Sequence, residues 1–296
     1  MAKKRKFFKT IILSLIFIDL ALWSVVIFSN SSSVPEIYFL NVGQGDSSLI
    51  SFGGPASLGS AMLGGGGVNF LIDGGPMNGK LDGELFKVLG SFQKRLDIVF
   101  ISHPEIDHFG GILDISSKYD IGAVVYNGAA GTGPNWEALM QFLKNKKIPL
   151  IPLKAGSLVR YIDGSFDVIH SASGSQKTGN ENALVLKFSY PGIKAVFSGD
   201  IGFGAEKEIL ADGKDLLADI LKVAHHGSKY SSGSDFLKAV SPKISIIEVG
   251  KNSYGHPTPE ALKRLSLVNS KIYRTDTDGT IKITKNNDVF QIFSLK

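Results

Sequence analysis

One short stretch of the sequence combines two histidines with two carboxylates, because His103, Glu105, Asp107 and His108 lie within six residues. Imidazole nitrogens and carboxylate oxygens crowded in this way suit a divalent cation. Cysteine is absent from all 296 residues, so any metal site must use nitrogen and oxygen donors, and disulfides are excluded. The alternative is a polar loop that binds nothing, but three or four such residues together favour metal binding.

The residues on either side predict how these side chains are held. Residues 96–101 (LDIVFI) form an apolar run that predicts a buried strand. Gly110 and Gly111 follow the ligands, and residues 112–119 have the pattern of an amphipathic helix. The four side chains are therefore expected on a loop leaving the end of a strand, where α/β proteins commonly place their chemistry.

This stretch resembles the HxHxDH motif of the metallo-β-lactamase superfamily, with Glu105 in place of the middle histidine. A carboxylate there, followed by Gly-Gly, is similar to the extracytoplasmic hydrolase-like domain of the ComEC/Rec2 DNA-uptake proteins. Each further matching segment is weak alone, but together they follow that family's order over about residues 36–283. They are residues 41–47 (NVGQGDS), 72–75 (IDGG), 197–200 (FSGD), 225–228 (HHGS) and 254–257 (YGHP).

The resemblance implies the αβ/βα sandwich of the superfamily, a four-layer α/β fold with two sheets face to face and helices outside. The sequence itself alternates short apolar segments with helical patterns, which is consistent with α/β layering. The predicted hydrolase domain covers residues 36–296.

The resemblance also implies roles for individual residues. It implies a metal-ligand set of His103, Glu105, Asp107, His108, Asp200 and His225. It implies catalytic roles for Asp107, Asn182 and His226. Three residues are expected close to or behind the site: Asp46, Asp73 and His256. Asp46 and Asp200 each have an alternative role as an ordinary aspartate of a turn.

The two adjacent histidines His225 and His226 follow a predicted strand, residues 220–224. Neighbouring strand residues face opposite sides, so only one of the two can point straight at the site unless the strand has ended. His225 is favoured as the ligand, and His226 as a residue behind it or in contact with substrate. His170 matches no ligand motif and is predicted to be structural.

Two adjacent divalent cations can activate water and stabilise a departing oxyanion without an activated Ser or Cys. Glu105 and the lack of a clear third histidine make the set rich in oxygen, which favours Mn²⁺ or a mixed site over Zn²⁺ alone. The resemblance implies a nuclease acting on DNA. The alternatives are a hydrolase of another ester or amide, such as a β-lactam, and a non-catalytic module that binds DNA or assembles with partners. Several lysines could contact phosphates or simply form a solvated surface: Lys222, Lys229, Lys251 and Lys263.

The first residues carry a separate signal. Residues 1–9 are basic, and residues 10–28 are mostly apolar and long enough, at about 1.5 Å each, to cross the hydrocarbon core of a lipid bilayer. A single-pass anchor is predicted, with the basic tip cytoplasmic and the domain beyond the linker, residues 29–35, outside the cell membrane. A cleaved signal peptide, giving a secreted protein, is the alternative. Residues 1–33 hold +4 of the net charge of +5, so bulk charge says little about the substrate.

Overall fold

The computed structural model describes residues 34–53, 67–171 and 179–296. The predicted basic tip and membrane anchor lie outside the described residues. None of the helices in the described ranges has the length and apolar character that a bilayer span requires.

Within the described residues the first sheet contains eight strands. Its parallel strands deliver two predicted site segments to one edge. Their order across the sheet is β15-β14-β1-β2-β3-β4-β5-β6, with bounds β1 (Glu36–Phe39), β2 (Ser48–Phe52), β3 (Val68–Ile72), β4 (Arg95–Ile101), β5 (Asp120–Tyr126), β6 (Leu150–Pro152), β14 (Thr280–Asn286) and β15 (Val289–Leu295). β3 to β6 pair in parallel, and the other pairs are antiparallel. Asp73 and His103 therefore leave β3 and β4 at the same edge.

The second sheet, as far as the chain is described, contains seven strands and delivers the later segments in the same way. Their order is β13-β12-β11-β10-β9-β8-β7, with bounds β7 (Leu158–Tyr161), β8 (Gly164–His170), β9 (Val185–Tyr190), β10 (Ile193–Phe197), β11 (Ile220–Lys222), β12 (Ile244–Ile247) and β13 (Lys271–Arg274). β10 to β13 are parallel, and β7 to β10 are antiparallel. Asp200, His226 and Glu248 follow the carboxyl ends of β10, β11 and β12.

The helices cover the outer faces of both sheets. The helices of the described ranges are α1 (Lys80–Leu89), α2 (Ile106–Ile115), α3 (Pro134–Lys146), α4 (Phe203–Ala211), α5 (Ser234–Val240), α6 (Pro259–Leu267) and the short α7 (Thr275–Asp278). Two 3₁₀ turns, Gly179–Asn182 and Ala224–Gly227, lie next to the predicted site.

Three buried apolar clusters separate the four layers. The cluster between the sheets is rich in aromatic rings, including Phe39, Phe100 and Phe188. One further cluster lies under α1 to α3 and another under α4 to α6. On β1, Phe39 faces the space between the sheets and Tyr38 faces the helices, as the two-residue period of a strand requires. The structure therefore confirms the α/β sandwich with two sheets and outer helices.

The predicted start of the helix after β4 was wrong. The helix α2 begins at Ile106, so Asp107 and His108 lie in its first turn and not on a loop. His103 is on the connecting loop, and Glu105 is the residue that caps the helix. Gly110 and Gly111 lie inside the helix. Position 111 requires glycine, because a side chain there would overlap the backbone oxygen of Gly74. The glycine pair thus allows α2 to lie directly against the turn that follows β3.

Candidate metal centre

The turn after β3 holds the first ring, that of His108. The Nδ1 atom of His108 lies 3.0 Å from Oδ2 of Asp73, whose Oδ1 accepts a hydrogen bond of 2.7 Å from the backbone N–H of Ser102. Because Nδ1 donates to this carboxylate, the lone pair of a neutral His108 ring is on Nε2. That Nε2 atom lies 3.4 Å from Oδ2 of Asp200 and 3.9 Å from Oδ2 of Asp107.

The second ring, that of His226, is also held through its Nδ1 atom, here by the backbone of the second sheet. Its Nδ1 atom lies 2.8 Å from the backbone oxygen of Glu248 and 3.1 Å from Oδ1 of Asp46. Its Nε2 atom lies 3.5 Å from Oδ2 of Asp107 and 3.6 Å from Oδ2 of Asp200. Two rings from opposite sheets therefore present Nε2 to the same pair of carboxylates.

The third ring, that of His103, packs against the ring of His108 with centroids 4.1 Å apart. Its Nδ1 atom lies 2.9 Å from Oγ of Ser102. Its Nε2 atom lies 3.7 Å from Oε2 of Glu105. His103 thus extends the group towards the helix-capping carboxylate.

The unpartnered atoms of this group test whether a cation fits. Nε2 of His103, His108 and His226 and Oδ1 of Asp200 are buried without a hydrogen-bond partner among the described residues. Leaving such a group unsatisfied costs roughly 1–3 kcal/mol, so four at one place call for a ligand. His103, His108 and Asp200 can share one ion, as can Asp107, His108 and His226, since the ligand atoms of each set lie within 4.8 Å of one another. The nitrogen and oxygen donors suit a divalent transition metal.

The electrostatics of the centre also favour positive charge. Burial acts to lower the pKa of His108, but the carboxylates of Asp200, Asp107 and Asp73 outweigh it and raise that pKa well above its ordinary value. Burial acts to raise the pKa of Asp107, but His108 and His226 hold it at about 2. A metal binds only deprotonated imidazoles. A bound cation therefore supplies the positive charge that protons on the histidines would otherwise supply.

The comparisons with known proteins identify the superfamily of the chain. Residues 57–250 match the sequence model of the Metallo-beta-lactamase superfamily. The chain belongs to this superfamily. It is 30% identical over 268 residues to ComE operon protein 3 of Bacillus subtilis, which covers 87% of this chain and 34% of that protein. It is 26% identical over 191 residues to Competence protein ComA of Neisseria gonorrhoeae, covering 64% of this chain and 25% of that protein.

The chain is therefore related to competence proteins of the ComEC/Rec2 type, as the motifs predicted, and it spans about a third or less of the length of those two relatives. Among solved structures, the metallo-beta-lactamase fold protein YhfI from Bacillus subtilis is similar, with a TM-score of 0.55 and 11% identity over 84% of this chain and 100% of that one. That identity shows the fold alone.

The backbone after β11 explains which of the two adjacent histidines enters the metallo-β-lactamase centre. The strand has ended at Lys222, and His225 and His226 adopt positive φ angles of 52° and 51°. In this turn His226 is buried within the group, whereas the side chain of His225 is 33% exposed and its Nε2 lies 3.9 Å from Oδ2 of Asp200. The geometry does not support the predicted order, because it places His226 among the ligand atoms and His225 at the mouth of the site.

Other predicted residues lie around the centre without belonging to its ligand sets. The side chain of Glu105 is 45% exposed and lines the cavity. Asn182 is buried, and its backbone oxygen accepts a hydrogen bond of 2.9 Å from Asn127, whereas Nδ2 of the nearby Asn180 lies 3.3 Å from both ring nitrogens of His225. His170 Nε2 lies 3.1 Å from the backbone oxygen of Glu181, in keeping with a structural role.

A buried charged pair beneath the histidines was missed by sequence reasoning. Lys222 is only 2% exposed, and its ammonium bonds to Oδ2 of Asp46 and to the backbone oxygen of Gly199. The predictions for Lys222, a phosphate contact or a solvated surface residue, were therefore wrong. Burial lowers the pKa of Lys222 to about 7, although the charge of Glu248 acts to raise it. Burial raises the pKa of Glu248 to about 7, although the charge of Lys222 acts to lower it. A lysine inside the apolar run before the histidine pair was the available signal.

An open cavity of about 480 Å³ gives access to the centre. Both sheets contribute to its wall, since the residues come from the segments that follow β1, β4, β10, β11 and β12. They are Gln44, Glu105, Ile106, Asp107, Asp200, His225, His226, Tyr254 and His256. Lys229, Lys251 and Lys263 are exposed. A substrate can therefore reach the carboxylates without any rearrangement of the sheets.

Proposed function

We propose that this chain is a metal-dependent phosphodiesterase that cleaves DNA. The observation that carries the proposal is the convergence of three buried Nε2 atoms on Asp107 and Asp200 at the floor of an open cavity. The hydrolase fold of the superfamily and the relation to competence proteins support the choice of reaction and of substrate.

The proposed centre holds two divalent cations, Mn²⁺ or Zn²⁺. His103, His108 and Asp200 would hold one, and Asp107 and His226 would contribute to the other. When bound, cations of this kind activate water and neutralise the charge of a phosphodiester. The carboxylate of Glu105, 3.7 Å from Nε2 of His103, adds an oxygen donor beside this first set, which favours Mn²⁺ there.

Side chains of the protein orient the attacking water, contact the phosphate and attract the DNA backbone. Asp107, at the cavity floor, orients the attacking water through its carboxylate. His225 and His256 line the cavity mouth and can each donate a ring N–H to a non-bridging phosphate oxygen. Lys251 and Lys263 are exposed near the last motif and attract the DNA backbone.

We also propose that residues 10–28 anchor the chain in the lipid bilayer, with the hydrolase domain outside the cytoplasmic membrane. The support is the apolar run of 19 residues after a basic tip. Reporter fusions at the C terminus, one active only outside the cytoplasm and one active only inside, test this orientation.

The test of the activity uses the full chain, purified in mild detergent and freed of metal. We expect Mn²⁺ or Zn²⁺ to restore cleavage of a single-stranded DNA, and Asp107→Asn to abolish it. The exposed Asp120, at the start of β5, gives a matched control, because Asp120→Asn should leave cleavage unchanged. Turnover of a chromogenic cephalosporin without DNA cleavage would instead identify an amide hydrolase. DNA binding without cleavage at any metal concentration would identify a non-catalytic module.

A further inference from the structure

A rigid turn presents an exposed tyrosine at the mouth of the cavity. The amide of Asn252 makes four hydrogen bonds within this turn: Nδ2 donates to the backbone oxygens of Gly250 (2.8 Å) and His256 (2.9 Å). Oδ1 accepts from the backbone N–H groups of Tyr254 (3.1 Å) and His256 (3.0 Å). A single side chain therefore fixes the backbone on both sides of Tyr254.

The same turn is braced against the first sheet. The backbone N–H of Gly250 donates to Oε1 of Gln44 at 3.2 Å. A side chain at Gly250 would overlap the backbone of Gly43, so the two loops lie in direct contact. Because Gln44 belongs to the loop that carries Asp46, the position of Tyr254 is tied to the support of the metal centre.

Three rings lead from this turn to the centre. The ring of Tyr254, a residue that is 73% exposed, lies 5.8 Å from the ring of His256 at an interplanar angle of 31°. The ring of His256 lies 5.5 Å from that of His225, whose Nε2 is 3.9 Å from Oδ2 of Asp200. All three rings line the cavity. A large aromatic face held in solvent by a rigid turn, next to a catalytic centre, is suited to a flat ligand group.

We propose that Tyr254 and His256 form a stacking subsite for the nucleobase beside the scissile phosphodiester. The inference rests on the proposed function and adds a requirement to it: the base must leave its own stack, so the preferred substrate is an unpaired nucleotide. Ile106, 42% exposed on the same cavity, gives the base an apolar edge to pack against. Stacking on an aromatic side chain tolerates any base, because every base has a π-face.

The test compares two oligonucleotides of equal length and charge, one with normal bases and one with abasic sugars throughout. For the base-bearing strand, Tyr254→Ala should raise KM roughly 5- to 150-fold with kcat little changed, the range expected for one stacked base. Tyr254→Phe, which keeps the ring, should behave as the wild-type chain. Tyr230 is 65% exposed and does not line the cavity, so Tyr230→Ala is the matched control. For the abasic strand, Tyr254→Ala should have no effect.

Equilibrium binding of the same labelled strands to the metal-free full chain separates this inference from the proposed function. Weaker binding of the base-bearing strand by Tyr254→Ala, without cleavage by any metal-loaded chain, would keep the subsite and reject the nuclease. Cleavage with equal KM for the wild-type chain and Tyr254→Ala would keep the nuclease and overturn the subsite. Equal affinity of the wild-type chain for both strands, or no binding of either, would also overturn it.

Discussion

The Nδ1 atom of His226 lies 2.8 Å from the backbone oxygen of Glu248. Glu248 directly follows β12, and His226 lies on the turn after the parallel neighbour β11, so the pairing of two strands sets this contact. The proton of a neutral His226 is therefore held on Nδ1 by the main chain, and Nε2 remains for the metal. Substitution of the Glu248 side chain should leave this tautomer unchanged.

The two adjacent histidines should respond differently to substitution. We expect His226→Asn to weaken metal binding by at least about tenfold, since even partners behind the ligands cost 10- to 100-fold. His225→Asn should leave metal affinity close to that of the wild-type chain, because the ring of His225 lies at the cavity mouth. Asn tolerates the positive φ angles of both positions, so backbone strain is matched. Titration calorimetry with Mn²⁺ and Zn²⁺ measures the difference; a larger loss in His225→Asn would reverse the assignment.

The buried Lys222 should be essential to the stability of the metal-free chain. Lys222→Met leaves Asp46 and Glu248 buried near one another without the ammonium, which should lower the free energy of unfolding by roughly 3–5 kcal/mol. Asp46→Asn in the same chain removes one unpaired charge, so the double variant should be more stable than Lys222→Met alone. Urea unfolding of the four chains gives the coupling energy, expected at roughly 1–3 kcal/mol for groups in direct contact. Strict additivity would show that the ion pair contributes nothing.

Glu206 should make stability depend on pH near neutrality. Its oxygens accept hydrogen bonds from the backbone N–H groups of Ser232 and Gly233, and burial raises its pKa from 4.5 to about 7. The folded chain therefore holds the extra proton between these two pH values, and stability falls as pH rises through that window. Relative to Glu206→Gln, the free energy of unfolding of the wild-type chain should fall by up to about 3 kcal/mol between pH 4.5 and pH 7. Above pH 7 the difference between the two chains should stay constant. Parallel unfolding curves for the two chains across this window would contradict the shift.

Two helical glycines should give opposite results when replaced by alanine. Gly111→Ala forces α2 away from the oxygen of Gly74, which should cost roughly 1–3 kcal/mol, as overpacking does, and should weaken metal binding by moving His108. At Gly83, on α1, an added methyl group meets nothing within 4 Å. Gly83→Ala should therefore stabilise the chain by about 0.5–1 kcal/mol through helix propensity. Thermal unfolding and calorimetry of both variants provide the comparison.

The sequence predicted the components of the centre better than their arrangement. Asp73, His103, Asp107, His108 and Asp200 follow apolar strands in an order typical of the superfamily, and the structure brings their side chains together. The interlayer strands were recognisable because apolar side chains on both faces give continuous hydrophobic runs.

What the sequence did not predict depends on contacts between distant segments. The burial of Lys222 requires Asp46, which is 176 residues away. The start of α2 was placed too late because glycine usually marks a helix boundary, whereas Gly111 serves a close approach to Gly74. The choice between His225 and His226 depends on a left-handed turn, and histidine is only a weak signal for positive φ.

The support of the centre runs from Asp46 to Glu248, and neither sheet alone supplies all three histidines. A ribosome has therefore made most of the polypeptide before any ion can be captured. A nascent chain that stalls before residue 226 carries no complete centre, so the proposed activity requires synthesis beyond that residue. For the proposed nuclease, this order of synthesis would be a safeguard that requires no inhibitor.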